Sequence, residues 1–141
     1  MKIEIHKISN QAELETAWAI RRVVFVIGQN CPEELEWENE EESVHFLALL
    51  DGVPVGTARW RETENGYKLE RFAVLEEARH KGVASALVQT LVSELSPNGK
   101  LLYLHAQLEA APLYARFGFK PKGENFWEAS IEHVKMVLDA N

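Results

Sequence analysis

Leu104-His105-Ala106-Gln107-Leu108-Glu109-Ala110-Ala111-Pro112-Leu113-Tyr114-Ala115-Arg116-Phe117-Gly118-Phe119 passes from strand to helix within one stretch. Residues 101–106 are an apolar run of the length of a buried strand, and residues 110–117 are spaced as a short helix. Upstream, residues 82–95 read as a longer helix, stopped by Pro97-Asn98-Gly99. Before it, Phe72-Ala73-Val74-Leu75-Glu76-Glu77-Ala78-Arg79-His80-Lys81-Gly82-Val83-Ala84 leads out of a strand, through a turn, into that helix. Strand, helix and strand in this order make a β-α-β crossover, the connection that parallel strands require.

The chain on the N-terminal side has a different rhythm. Residues 2–8 alternate as a strand, and Asn10 with Glu13 makes a helix start resembling a capping box. Leu14, Trp18, Arg21 and Phe25 then share one helical face, with Ala17 and Val24 beside it. Pro32 ends the following loop, and the acidic stretch 33–42 reads as a short helix or a solvated loop. Two period-2 segments, 44–51 and 53–62, are joined by an Asp51-Gly52 turn; Glu64-Asn65-Gly66 turns the chain again into a third strand, 67–75. Two last strands are expected at 120–129 and 133–138. With no linker and no repeat, residues 1–141 read as one α/β domain of the mixed α+β kind, a mostly antiparallel sheet with helices on both faces.

The turn before the long helix has a core of Arg-x-x-Gly-x-Ala, from Arg79 to Ala84. A helix N-terminus offers unpaired N–H groups and about half a positive charge, which suits an anion. Gly82 lets the backbone approach a phosphate without a Cβ in the way, and Arg79 and Lys81 can add charged hydrogen bonds. The plainer reading is a βα turn flanked by solvated cations. The segment matches neither GxGxxG nor GxxxxGK[ST], so neither NAD nor ATP is favoured.

Two motifs in order decide between these readings. Ala110, Tyr114, Gly118 and Phe119 stand in register with the pattern N-x-x-A-x-x-x-Y-x-x-x-G-F of the GNAT acetyltransferase superfamily, with Gln107 where Asn is usual. The Arg79–Ala84 segment resembles the same superfamily's acetyl-CoA pyrophosphate loop. A closer likeness runs through Arg21-Arg22-Val23-Val24-Phe25-Val26-Ile27-Gly28-Gln29-Asn30-Cys31-Pro32, His45 and Leu104-His105-Ala106-Gln107, which resemble the bacterial ElaA/YjcF-like branch. Gly28 stands where that branch carries Glu, and Glu36-Trp37-Glu38 approximates its acidic pair.

The resemblance implies a GNAT-type sheet of six to seven strands with a splayed parallel pair. It implies acetyl-CoA as co-substrate, and direct attack of an amine on the thioester. Phe72, Ala73 and Val74, on a bulged strand, would hold the pantetheine arm; Arg79, His80, Lys81, Gly82, Val83 and Ala84 would hold the pyrophosphate. Gln107 and Tyr114 would complete the cofactor site, and Arg21, Phe25, Cys31 and His45 the acceptor pocket.

Two protons must then be managed. An alkyl ammonium with a pKa near 10.4 is neutral in only about one part in two thousand at pH 7, so a base or a desolvating pocket is needed. The leaving thiolate needs a proton, and Tyr114 matches the family's general acid. Transfer from a pKa of about 10 to one of about 8.5 is uphill by about 2 kcal/mol, so positioning or concerted transfer must carry it. For the base, Glu70 on the third strand and His105 at the end of the buried strand are the candidates. Each also has a structural reading, Glu70 as the neighbour of Arg71 or Lys68 and His105 as a satisfied core histidine. Trp18, Trp37, Trp60 and Trp127 read as core.

Composition sets the remaining bounds. A net charge of −7 argues against a nucleic-acid partner and suits a cationic small-molecule or peptide amine. Cys31 is the only cysteine, and the five histidines lack ligand spacing, so no metal is expected. No apolar run reaches the ~20 residues that span a bilayer, and no signal block is seen, which points to the cytoplasm; a homodimer is compatible with all of this. Two rivals stay open: a non-catalytic acetyl-CoA-binding module, and an acyl-homoserine-lactone-synthase-like enzyme echoed by Arg22-Val23-Val24-Phe25 and Trp37.

Overall fold

The computed structural model describes residues 1–29 and 39–138. Cys31, Pro32, Trp37 and most of the acidic stretch lie outside these residues. The strands are β1 (Ile3–Lys7), β2 (Val44–Leu50), β3 (Val53–Thr63), β4 (Gly66–Val74), β5 (Leu102–Gln107), β6 (Lys120–Pro121), β7 (Phe126–Glu128) and β8 (Ile131–Leu138). They form one sheet in the order β1-β2-β3-β4-β5-β8-β6, with β7 also paired to β8. All pairings are antiparallel except β4 with β5.

Eight strands stand where six to seven were expected, because the segment 120–129 does not run as one strand. Pro121 can donate no ladder bond and Gly123 takes a φ of +88°, so the chain leaves β8 after β6 and rejoins it as β7. The last strand also begins two positions earlier than expected, at Ile131.

Helix α1 (Gln11–Arg21) covers one face of the sheet; α2 (Val83–Leu95) and the short α3 (Ala111–Ala115) cover the other. Alternation in β2 shows the division: Phe46 and Ala48 face α2 and α3, while Leu47 and Leu49 face α1. The larger core joins Leu87, Val88, Leu91 and Leu95 of α2 to Leu69, Leu102, Leu104 and Met136. Each such side chain contributes roughly 1.5–3 kcal/mol by leaving water.

The buried line of the first helix differs from the expected one. Ala17, Ile20, Arg21 and Val24 are buried, whereas Leu14, Trp18 and Phe25 are half-buried. The buried positions keep the i, i+3, i+4, i+7 spacing of a helix, so the inward face is turned toward Ala17 and Ile20; from Arg22 to Ile27 the chain runs on as a π-helical stretch. No helix of the described residues is long and apolar enough to cross a membrane.

Candidate active site

The site begins with a defect in pairing. Thr57 faces Ala73 and Arg59 faces Glu70, so Arg71 and Phe72 of β4 share the single residue Ala58 opposite. Arg71 takes a φ of +58°, a left-handed conformation a side chain adopts only under constraint. This bulge bends β4 away from β5. The parallel pair is joined only at Tyr67–Leu102 and Lys68–Tyr103 and then diverges.

A groove of about 790 Å³ opens where the strands part. That lies toward the upper end of ligand sites, roughly 300–1,000 Å³. At one end stands the N-terminus of α2. Its first intrahelical bond runs from the Ala86 N–H to the Gly82 oxygen at 3.0 Å, so the N–H groups of Val83, Ala84 and Ser85 precede it. Gly82, at φ +91°, contributes no capping side chain. A Cβ built there would meet only Ile3, at 3.7 Å, so space beside the loop is open. Arg79 and His80 line this end; the Arg79 Nε donates to the Val74 carbonyl at 3.0 Å, which fixes the root of the guanidinium.

Tyr114 lies deeper, buried between Phe72 at 5.5 Å and Phe119 at 6.3 Å between ring centroids. Its hydroxyl carries no hydrogen bond among the described residues, and burial pushes its pKa up. It remains a protonated donor directed by packing alone. Gln107 and Gln29 exchange amide hydrogen bonds of 3.0 and 3.4 Å, tying the end of the first helical segment to β5.

The opposite end is polar. His105 Nδ1 lies 3.2 Å from Glu128 Oε1, and Phe126 packs edge-on against the His105 ring at 4.9 Å. Glu128 and His133 line the same wall. Neither is marked by any motif; they meet His105 only because β7 and β8 fold back on β5.

Of the residues expected from sequence, Phe25, Glu70, Phe72, Val74, Arg79, His80, Gly82, Val83, Ala84, His105, Gln107 and Tyr114 line the groove, and Ala73, Lys81, Arg21 and His45 do not. Ala73 faces the α1 core and Lys81 points to solvent. Arg21, 1 % exposed, spends its charge on Glu40 at 2.5 Å, and His45 Nε2 sits 3.1 Å from the Glu40 carbonyl. Burial lowers the His45 pKa. Cys31 lies outside the described residues. Glu70 is gripped by Arg59 at 2.5 Å, Arg61 at 3.1 Å and Lys68 at 3.4 Å. A carboxylate held that way has little affinity for an ammonium proton.

The profile of the family described as acetyltransferase (GNAT) domain matches residues 11–140. YjcF of Bacillus subtilis, described as an uncharacterized N-acetyltransferase, is 35% identical over 142 residues, covering 99% of this chain and 100% of the relative. Among solved structures, ElaA of Escherichia coli superposes with a TM-score of 0.82 at 24% identity, over 96% of this chain and 99% of that one. An acyl-CoA N-acyltransferase from Pseudomonas aeruginosa gives 0.84 at 22% identity, over the same shares, 96% and 99%.

Proposed function

We propose, from the premise that this chain belongs to the GNAT acetyltransferase family, that it moves an acetyl group from acetyl-CoA directly onto a primary amine of a small molecule or peptide. The observation that carries this is the uncapped start of α2 opening onto the same groove that holds Tyr114 and His105.

The residues present fit the donor. The N–H groups of Val83, Ala84 and Ser85, backed by the helix dipole, would hold its pyrophosphate, with Arg79 and His80 supplying positive charge. The main chain of β4 past the bulge, from Phe72 to Val74, has no partner on β5 and would hydrogen-bond the pantetheine arm. Bound acetyl-CoA supplies the activated acyl group as a thioester.

The protein's own groups manage the protons. His105 is the base, directly or through a water, because Glu70 is committed to Arg59. Tyr114 donates a hydrogen bond to the departing sulfur. Since burial strengthens its hold on the proton, transfer accompanies C–S cleavage rather than preceding it. The same reading takes residues 1–141 as one catalytic domain.

Thermal unfolding with and without acetyl-CoA tests the donor, since a ligand at 100 times its Kd adds about 2.7 kcal/mol of stability. A rise in Tm with acetyl-CoA, and none with NAD or ATP, is expected. Free-CoA release across polyamines, amino acids, aminoglycosides and peptide N-termini then identifies the acceptor. Unchanged Tm at saturating acetyl-CoA overturns the reading.

A further inference from the structure

Three side chains from separate strands converge at the acceptor end of the groove: His105 of β5, Glu128 of β7 and His133 of β8. Glu128 Oε1 is 3.2 Å from His105 Nδ1, and its Oε2 is 3.9 Å from His133 Nε2. His133 Nδ1 donates to the Ile131 carbonyl at 2.7 Å, because a carbonyl only accepts. Phe126 holds both rings, edge-on to His105 at 4.9 Å and stacked on His133 at 5.9 Å.

An ionised carboxylate also only accepts. The hydrogen between Glu128 and His105 therefore belongs to Nδ1, and the neutral ring carries its lone pair on Nε2. The hydrogen bond from His105, against burial, and the nearby Lys68 and His133 keep Glu128 below the usual carboxylate range. The hairpin that delivers Glu128 is strained. Ala129 and Ser130 take φ values of +50° and +64° with no glycine to ease the turn. Such conformations persist where surrounding contacts dictate them, and they cluster at functional sites.

Resting on the acetyltransfer reading above, we propose that Glu128 is the positioning residue for His105: it fixes the Nδ1–H tautomer and so presents Nε2 as the base for the acceptor ammonium. Nε2 takes one proton from R–NH3⁺, leaving R–NH2 and an imidazolium that Glu128 stabilises. The amine nitrogen forms a C–N bond with the thioester carbonyl carbon while the C–S bond breaks. A second nitrogen proton balances the departing thiolate, received directly or by exchange through Tyr114, and the third stays on the amide. His105 then returns its proton to solvent. The sum is R–NH3⁺ and acyl-CoA giving amide, CoA–SH and H⁺.

Glu128→Gln keeps the shape of the side chain and removes its charge. With the amine identified by the acceptor panel, kcat should fall about ten-fold or more while the KM for acetyl-CoA and its Tm shift hold. His105→Ala should lose turnover and regain part of it with imidazole in solution. Two-bond ¹H–¹⁵N spectra of histidine-labelled protein should show His105 protonated at Nδ1 in the wild type and mixed tautomers in Glu128→Gln. Wild-type kcat in Glu128→Gln, or a wild-type His105 protonated at Nε2, overturns the dyad. A wild-type protein that neither binds acetyl-CoA nor acetylates any amine overturns the acetyltransfer reading instead, and the tautomer spectrum still decides the pair.

Discussion

Arg59 and Glu70 lie on neighbouring strands with the guanidinium Nε and one Nη 2.8 and 2.5 Å from the same carboxylate oxygen. Burial pushes the Glu70 pKa up, yet Arg59, with Lys68, Arg71 and Arg61, holds it down to about 2. A folded-state pKa below the unfolded one means stability present at higher pH and lost on acidification. The contribution is full above the ordinary value of 4.5 and disappears as pH falls toward 2. Glu70→Gln should therefore cost about 1–3 kcal/mol at pH 7, because buried Arg59 loses its charged hydrogen bonds to Glu70 and keeps, among the described residues, only Glu40, at 2.7 Å, as a carboxylate partner. Urea midpoints of the two proteins should begin to converge below about pH 4.5 and meet as pH falls toward 2; a constant gap would count against the pair.

Tyr114→Phe keeps the ring that packs between Phe72 and Phe119 and removes only the hydroxyl. Stability should hardly change, since no protein hydrogen bond is lost. If the hydroxyl assists the leaving thiolate, kcat and kcat/KM should fall together by about 100-fold. Wild-type turnover in steady-state assays would assign Tyr114 to packing.

Gly82→Val tests the cradle at α2, but the φ of +91° makes any side chain there costly in itself. Gly99, at φ +74° with open space around it and outside the groove, supplies the control. Both valine variants should lose stability, by about 1–3 kcal/mol. Only Gly82→Val should also lose acetyl-CoA binding by calorimetry. Equal affinities would reduce the loop to a turn.

The Ala129-Ser130 turn can be relaxed. Replacing it with Asn-Gly, which suits two consecutive positive φ values, should stabilise the protein by about 1 kcal/mol and raise Tm by about 2–4 °C. A lower Tm on calorimetric scanning would show that the observed backbone is not strained.

What the sequence disclosed was local. The Asn10 side chain accepts from the Glu13 N–H at 2.9 Å and the Glu13 carboxylate accepts from the Ser9 N–H at 3.2 Å, a cap carried by residues four apart or closer. Asp51-Gly52, the Gly82 loop and the Tyr114 helix likewise carry their geometry in short spacing. The last two strands were expected, but the tight turn that sets their register was hidden, because Ala129-Ser130 has none of the chemistry such turns usually require. So Glu128 and His133 could not be brought to His105 before the chain was folded. The ion pairs joining Arg21 and Arg59 to Glu40 were hidden for a related reason: partners 19 residues apart on different elements leave no periodic trace.

The divergence of β4 from β5 leaves two backbone edges facing each other inside a sheet rather than at its rim. Exposed edges invite foreign strands, which is how sheets aggregate. Here each edge shields the other, because the wedge is closed at Tyr67–Leu102 and Lys68–Tyr103 and an extended chain cannot slide through it. On the proposed reading, what enters would end within the wedge and offer amide-like groups at strand spacing. Recognition of that kind would read the backbone of both partners, so most side chains along the two edges could vary without loss of binding.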